Sequence, residues 1–487
     1  RNRLSEFQLR EGHPQLSALS TQEIRQRLNR RSADILSSGG EASRETYALM
    51  WRDYDEAIHR AWYIGVSPPS NKLMQYTIIR EIAAGAFGRV YEARDPDGGE
   101  VAIKVLRSEV RSTPGMLDSF RRGVRSMRIL SSRGVQGMIA YKDAVEIPAF
   151  VVMKLVHGPD LRNAVEQRAL DDWPSILRVS VELARIIRAA HTLPERVLHR
   201  DIRPSNIMLD GYYDDPNSWA VAVLDFDLSW HREAYEKTVV EGQHVSGYLA
   251  PEQYLRNTGM STRSALVDSY GLGMTLYFLS TANEPVLAEH KHAHWSEKLR
   301  ESVMARVSGA WRSVPRRFAR IIENATRDAQ PDRWDVAVIA GELERLTDAL
   351  LAPEKVNAAE LIAEELLART NYSELYTWDQ DKLHGEVDLP TGVTLTVRGN
   401  EKEGAVVALI CWQERRREEQ RRVEKWMAGA IEKADSILRR ASWTTDVQRG
   451  SGSHEFRIWA SARSDNIRAN FDRFADCLNR AMAAVEF

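Results

Sequence analysis

A chain of 487 residues, 43% hydrophobic and 28% charged, has material for two to four globular domains with cores of their own. A formal net charge of −2 gives no reason to expect a nucleic-acid or membrane-surface partner, and two cysteines, Cys411 and Cys477, are too few for a disulfide framework or a structural zinc site. A reducing, cytoplasmic setting is expected, since no stretch approaches the roughly 18 to 20 apolar residues of a bilayer span and no basic-then-apolar signal segment opens the chain. The start at Arg1 rather than Met suggests that an N-terminal piece has been removed.

Residues 1–70 read as a helical extension. Ser20-Thr21-Gln22-Glu23 is a capping-box pattern, followed by Ile24 and Leu28 at helical spacing. Gly39-Gly40 breaks that helix. Tyr47, Met50, Tyr54, Ile58 and Trp62 then make an aromatic stripe, read as packing on the neighbouring domain, and Ser67-Pro68-Pro69-Ser70 reads as a linker.

From Leu73 the pattern turns to strands. The β-rich run Tyr76–Ile82 enters Ala83-Ala84-Gly85-Ala86-Phe87-Gly88-Arg89-Val90-Tyr91, where glycine lets backbone N–H groups approach a ligand with no side chain between. Val101-Ala102-Ile103-Lys104 follows on a later strand. A helix over about Met116–Leu130 carries Phe120, Val124, Met127 and Leu130 on one face, and Gly123 within it costs about 1 kcal/mol of helix propensity relative to Ala. An apolar strand through Val151-Val152-Met153 leads to Leu155-Val156-His157-Gly158-Pro159-Asp160, where Asp160 reads as a helix N-cap, and a core helix over about Ile176–His191 comes next.

The chemistry concentrates in His199-Arg200-Asp201-Ile202-Arg203-Pro204-Ser205-Asn206. Five residues apart on a tight loop, Asp201 and Asn206 can aim a carboxylate and an amide into one cleft. After Ile207-Met208-Leu209, the turn-rich Gly211–Asn217 is a solvated tip, and the strand Val221–Leu224 ends in Asp225-Phe226-Asp227. Ala250-Pro251-Glu252, Asp268-Ser269-Tyr270-Gly271-Leu272-Gly273-Met274 and Asp332-Arg333-Trp334 complete the set, which closes near Leu351-Ala352-Pro353.

Each motif alone has a bland explanation. Together and in this order, over more than half the chain, they resemble the protein kinase superfamily and within it the bacterial eukaryotic-like Ser/Thr kinases. The resemblance implies a two-lobed α+β kinase domain over 71–352, with an N-lobe of about 71–152 and a C-lobe of about 157–352. It implies ATP with Mg²⁺, or Mn²⁺, as cofactors, and protein hydroxyls as acceptors, those of the chain itself included. Asp201 would be the base, with Lys104, Arg203 and Asn206 beside it; Asn206 and Asp225 would hold the metal. The nucleotide would lie against Ala83, Ala84, Gly85, Ala86, Phe87, Gly88, Val90, Ala102, Lys104, Met153, Leu155, Val156, Met208 and, at its ribose, Asp160.

The sequence departs from the family pattern at three places. Ala83 stands where a first Gly is usual. Gly123 stands where a helix Glu pairs with the strand Lys, so Lys104 needs Asp225, bound phosphates or a displaced helix. Asp227 replaces a Gly and brings a second carboxylate towards the metal, as in small-molecule kinases such as the aminoglycoside phosphotransferases. In the segment 228–249, Thr238 is the preferred phosphorylation site beside Arg200, and Ser246 is expected to substitute for a Thr that contacts the catalytic loop, since Val245 stands in its place. Asp268 is expected to hold the catalytic-loop backbone, and Arg333 to pair with Glu252.

The remaining third is not kinase-like. A helical linker is expected over 353–384, then an α+β accessory domain over 385–487. Two successive strand-turn-strand-helix patterns predict a duplicated ββα unit, a four-stranded antiparallel sheet with both helices on one face. Its first helix carries Val423, Met427, Ala430, Ala434 and Leu438, and its second Ile467, Phe471, Phe474 and Leu478. The interleaved Glu and Arg of 414–422 read as a solvated helix face, not a nucleic-acid patch. The function implied is a Ser/Thr protein kinase, with a pseudokinase or nucleotide-binding scaffold and a small-molecule kinase as alternatives. Regulatory partners would act through residues 1–70 or 385–487.

Overall fold

The computed structural model describes residues 72–85, 88–107, 114–146, 149–232, 246–255, 259–285, 311–352, 358–379, 381–413, 420–449 and 455–486. The helical extension and its linker, Ala86, Phe87, Thr238, Val245 and residues 414–419 lie outside them. The chain divides into two compact units. One falls within Arg1–Leu170, Glu182–His290 and Asn324–Ala337, the other within Asp171–Val181, Lys291–Glu323 and Val338–Phe487.

In the first unit an antiparallel sheet is built from β1 (Lys72–Leu73), β2 (Tyr76–Ala84), β3 (Gly88–Arg94), β4 (Glu100–Leu106), β5 (Tyr141–Glu146) and β6 (Ala149–Lys154), in the order β1-β2-β3-β4-β6-β5. Side chains alternate across a strand. Val101, Ile103 and Val105 of β4 therefore join Tyr76, Tyr91, Phe150 and Val152 in the core, while Ala102 and Lys104 face the other way. Cross-strand pairing puts Val90 opposite Lys104 and Met153 opposite Ala102, so all four share that second face. Helix α1 (Pro114–Ser132) buries Phe120, Met127 and Leu130, with Val124 half-buried. It also buries Arg122, Gly123 and Ser126, a polar strip that apolar periodicity does not reveal.

Helices α2 (Leu161–Glu166) and α3 (Trp173–Thr192) precede the catalytic loop, and the hairpin β7 (Ile207–Asp210) with β8 (Ala220–Val223) follows it. Then come α4 (Pro251–Tyr254) and α5 (Leu266–Thr281), whose residues from Val267 to Thr281 are all buried. A helix apolar on every side belongs in the middle of a domain. Helices α6 (Val314–Ala325) and α7 (Val336–Leu351) follow, most of each lying in the second unit.

The second unit corrects the sequence reading. Its sheet has six antiparallel strands: β9 (Thr377–Asp379), β10 (His384–Asp388), β11 (Val393–Asn400), β12 (Ala405–Gln413), β13 (Thr444–Arg449) and β14 (Glu455–Arg463), in the order β13-β14-β12-β11-β10-β9. The expected linker is part of its core. Helix α8 (Ala359–Ala368) is buried at every position, Glu360, Glu364 and Glu365 included, and its Leu366 and Leu367 join Leu395 and Val397 of β11 in one apolar cluster. Gly399 lets α8 approach, since a Cβ there would run into the Glu360 backbone nitrogen. Helix α9 (Gln420–Arg440) buries Met427, Ala430, Ala434 and Leu438. The expected final helix is two, α10 (Ser464–Ala469) and α11 (Phe471–Val485), broken at Asn470, whose side chain caps α11.

Ion pairs explain why α8 is buried. The carboxylate of Glu364 takes both terminal nitrogens of Arg320 at 2.8 and 2.7 Å. Glu360 binds Arg317 at 3.0 Å and also Arg345, and Glu365 accepts from the Ser313 N–H and hydroxyl, each at 2.8 Å. Burial would raise the Glu360 carboxyl, but Arg317 and Arg345 hold it below its ordinary value. These arginines sit on α6 and α7, so those helices and α8 form one ionic core.

Candidate active site

The catalytic loop is hung from one buried carboxylate. Asp268 Oδ2 accepts the His199 N–H at 2.9 Å, and Oδ1 accepts the Arg200 N–H at 2.6 Å. The His191 ring is 2.7 Å from Oδ2, and with the two backbone N–H groups it outweighs burial, so the Asp268 pKa is lowered. Arg200 adopts φ +67°, a left-handed conformation costly for a long side chain. It is fixed from both sides, because Gln253 of α4 donates to the Arg200 carbonyl at 2.8 Å. Gln253, not Ser246, makes this link to the loop, and the Ser246 hydroxyl has no hydrogen-bond partner among the described residues.

Asp201 follows. Asn206 donates from Nδ2 to the Asp201 carbonyl and to its Oδ2, both at 2.9 Å. The rigid turn Pro204–Asn206 sets this approach. Burial pushes the Asp201 carboxyl up and Asp225 adds to the shift, against the pull of Arg203. An upward shift moves a base towards neutral pH, where proton acceptance is more effective. Arg203 donates from Nε to the Ser205 hydroxyl at 2.8 Å.

Asp225 closes the site from β8. Its φ of +57° is one that Asp tolerates, and the His199 ring, donating to the Leu224 carbonyl at 2.7 Å, packs 4.8 Å from Phe226. Lys104 Nζ reaches Asp225 Oδ1 at 2.8 Å and Asp227 Oδ2 at 2.6 Å. Burial alone would discharge the lysine, but the two carboxylates reverse that and raise its pKa. One ammonium cannot satisfy two adjacent buried carboxylates equally. Lys104 overcomes burial at Asp225 and lowers it, while burial and Asp225 push Asp227 up to about 6.

A divalent cation and ATP phosphates fit this donor set. Asn206 spends its amide nitrogen on Asp201 and keeps its oxygen, and Asp225 adds a carboxylate, both hard oxygen ligands. Among the described residues no group of three or more His, Cys, Asp or Glu could hold a metal ion by itself.

A family model described as the protein kinase domain matches residues 76–343, more than half of the chain. The chain belongs to the protein kinase family. Curated kinases match at moderate identity. A Corynebacterium efficiens protein named "Probable serine/threonine-protein kinase" is 27% identical over 45% of this chain and 32% of its own length. The nodulation receptor kinase of Pisum sativum is 28% identical over 44% and 22%, and serine/threonine-protein kinase PknA of Mycobacterium tuberculosis 29% over 43% and 48%. The chain spans less than half the length of each of these relatives.

The other candidate residues of the kinase domain are placed as follows. Val90, Ala102, Lys104 and Met153 share a sheet face, and Met208 forms a bridge with Asp160. Ala83 and Ala84 end β2 exposed, Gly85 bonds to the Gly88 carbonyl, and Leu155 and Val156 are half-buried in the stretch after β6. Asp160 caps α2, with both carboxylate oxygens engaged by Asn163. Glu252 and Arg333 pair at 2.7 and 3.0 Å with both side chains fully buried. Sequence reasoning missed Gln253 and the second carboxylate on Lys104. A signal for the latter was present, since α1 carries no acidic residue from Ser119 to Ser132.

Proposed function

We propose that this kinase transfers the ATP γ-phosphate to Ser and Thr hydroxyls of proteins, its own included, with Mg²⁺ as the working metal. The observation that carries this reading is the pairing of Asp201 with Asn206 on a loop fixed by Asp268, with Asp225 and Lys104 joined beside it. Asp201 accepts the acceptor hydroxyl's proton, and Asn206 turns the carboxylate towards it. Lys104 and the backbone around Gly85 and Gly88 would receive the phosphates, and Asn206 and Asp225 would hold the metal, which when bound would supply neutralising charge for the transferring group. Arg203, two residues from the base, is suited to steady the same charge. The buried pair Glu252–Arg333 favours a protein acceptor, because it braces the segment after the catalytic loop on the core of the domain. Residues 1–70 and 385–487 are candidate attachment points for a regulatory partner.

A nucleotide-binding scaffold without turnover is the second reading, favoured by one observation, the absence of a helix carboxylate at Gly123. Phosphopeptide mapping after incubation with ATP and Mg²⁺ separates the two. Phosphotransfer by the wild type, lost in Asp201→Asn, supports the kinase reading. Persistence of phosphorylation in Asp201→Asn removes Asp201 as the base, and ATP-dependent stabilisation with no transfer under any metal selects the scaffold.

A further inference from the structure

We infer that Asp227 is the positioning carboxylate of Lys104, taking the place of a helix residue, and that the bare backbone at Gly123 is what admits it. The inference deepens the phosphotransfer reading and rests on it. Its starting point is a deficit in α1. Over its described side chains, from Ser119 on, the helix holds Arg121, Arg122, Arg125 and Arg128 and no acid. A buried cation without a partner is strongly unfavourable. The partner comes instead from the strand β8 side, at 2.6 Å.

Gly123 makes that delivery possible. A Cβ at this position would lie 2.7 Å from the Phe226 carbonyl oxygen and 3.1 Å from its carbon. With no side chain the helix lies directly on the backbone of Phe226 and Asp227. One turn along, the same helix grips the chain that follows. Arg122 donates from Nε to the Ser229 carbonyl at 2.9 Å, and the Ser229 hydroxyl donates to Ser126 at 2.9 Å. Ser126 in turn contacts His231 Nδ1 at 3.3 Å, and Ser126, Ser229 and His231 are each at most 2% exposed. Asp227 is thereby held between Asp225, anchored at the end of β8, and Ser229, anchored on α1. From there its carboxylate meets the Lys104 ammonium. The two departures at Gly123 and Asp227 are thus a single exchange. The carboxylate has moved from the helix to the strand side, and the helix has lost a side chain to make room.

The division of labour on Lys104 follows. Asp225 is also the metal ligand of the proposed mechanism, so its hold on Lys104 competes with that duty. Asp227 has no such second duty and keeps the ammonium aimed at the phosphates.

The test is a double-mutant cycle on the full chain with Asp227→Asn, Lys104→Met and the double variant. Initial rates give kcat and KM for ATP, and calorimetry gives affinity for a non-hydrolysable ATP analogue with Mg²⁺. Asp227→Asn is expected to lower kcat/KM on the order of tenfold to a hundredfold, the range for loss of a partner that positions a functional group. The double variant should be no worse than Lys104→Met alone, because Asp227 acts only through the lysine. Losses that multiply overturn the inference, as does recovery of Asp227→Asn to wild-type rate at raised Mg²⁺, which would make Asp227 a metal ligand. If the wild type transfers no phosphate, the kinase reading fails by itself. The analogue affinities then decide the role of Asp227, non-additive losses supporting it and additive ones overturning it.

Discussion

Arg200 shows how much of the site is backbone architecture. Its left-handed φ persists because Asp268 and Gln253 hold the peptide groups on either side. Asp268→Asn keeps the volume but removes the charge that accepts two backbone N–H groups, and charge-assisted bonds of this kind contribute about 1.5–3 kcal/mol. The variant should melt several degrees lower and lose most phosphotransfer; unchanged melting would show that the loop is held by something else. At Gly123 two effects compete. Ala would gain about 1 kcal/mol of helix propensity but force its methyl group onto the Phe226 carbonyl, a close approach to backbone that costs about 1–3 kcal/mol. Net destabilisation is expected for Gly123→Ala, with reduced activity, and a thermal shift upward would refute the close packing. The octapeptide His199–Asn206, Lys104 and Asp225 were legible as candidates in the sequence because each sits in a short local pattern. The role of Asp227 was not, because it depends on a missing side chain more than a hundred residues away.

Among the elements, α8 is the one whose sequence misleads most. Three glutamates in a run of Ala and Leu suggest a solvated helix, and periodicity counts them as exposed. Their burial depends on Arg317, Arg320 and Arg345, which α6 and α7 present from another part of the chain. Such pairs add little over an apolar core, but breaking one leaves a buried charge behind, at about 3–5 kcal/mol. Glu364→Ala should therefore lower the stability of the second unit by that amount, read as the denaturant midpoint of its transition. A loss below about 1 kcal/mol would mean that the pair is solvated. Strand alternation was readable in β11, β12 and β14, where one face is apolar throughout. Strands β9 and β10 were harder, since their short, charged sequences carry almost no pattern.

For the whole molecule, the compact units do not follow the family boundary. The kinase match ends at residue 343, inside α7, yet α7 shares its unit with the six-stranded sheet. A truncation after Leu351, the natural choice from motifs alone, would strip the carboxylates of α8 from the arginines of α6 and α7. We expect that fragment to aggregate or unfold at temperatures where the full chain is folded, as measured by scattering on heating. Acid should act on that network and on the loop held by Asp268. Asp268 and Glu360 both have lowered pKa values, so the stability they contribute is present above about pH 4, the unfolded carboxylate range, and is lost as pH falls through their lower folded values. Asp227, displaced upward, works in the opposite sense between about pH 4 and 6. A stability profile that stayed flat below pH 4 would exclude a role for these carboxylates.

The clasp on Lys104 has a consequence for covalent chemistry. An amine attacks an electrophile only through its lone pair, and a lysine kept as ammonium by two carboxylates has none to offer. Amine-directed acylating or sulfonylating probes that enter the cleft should therefore label Lys104 slowly. Opening the clasp with Asp227→Asn should speed that labelling, and intact-mass spectrometry would follow it directly. The same side chain that suits phosphate binding would make this protein a poor target for lysine-reactive inhibitors.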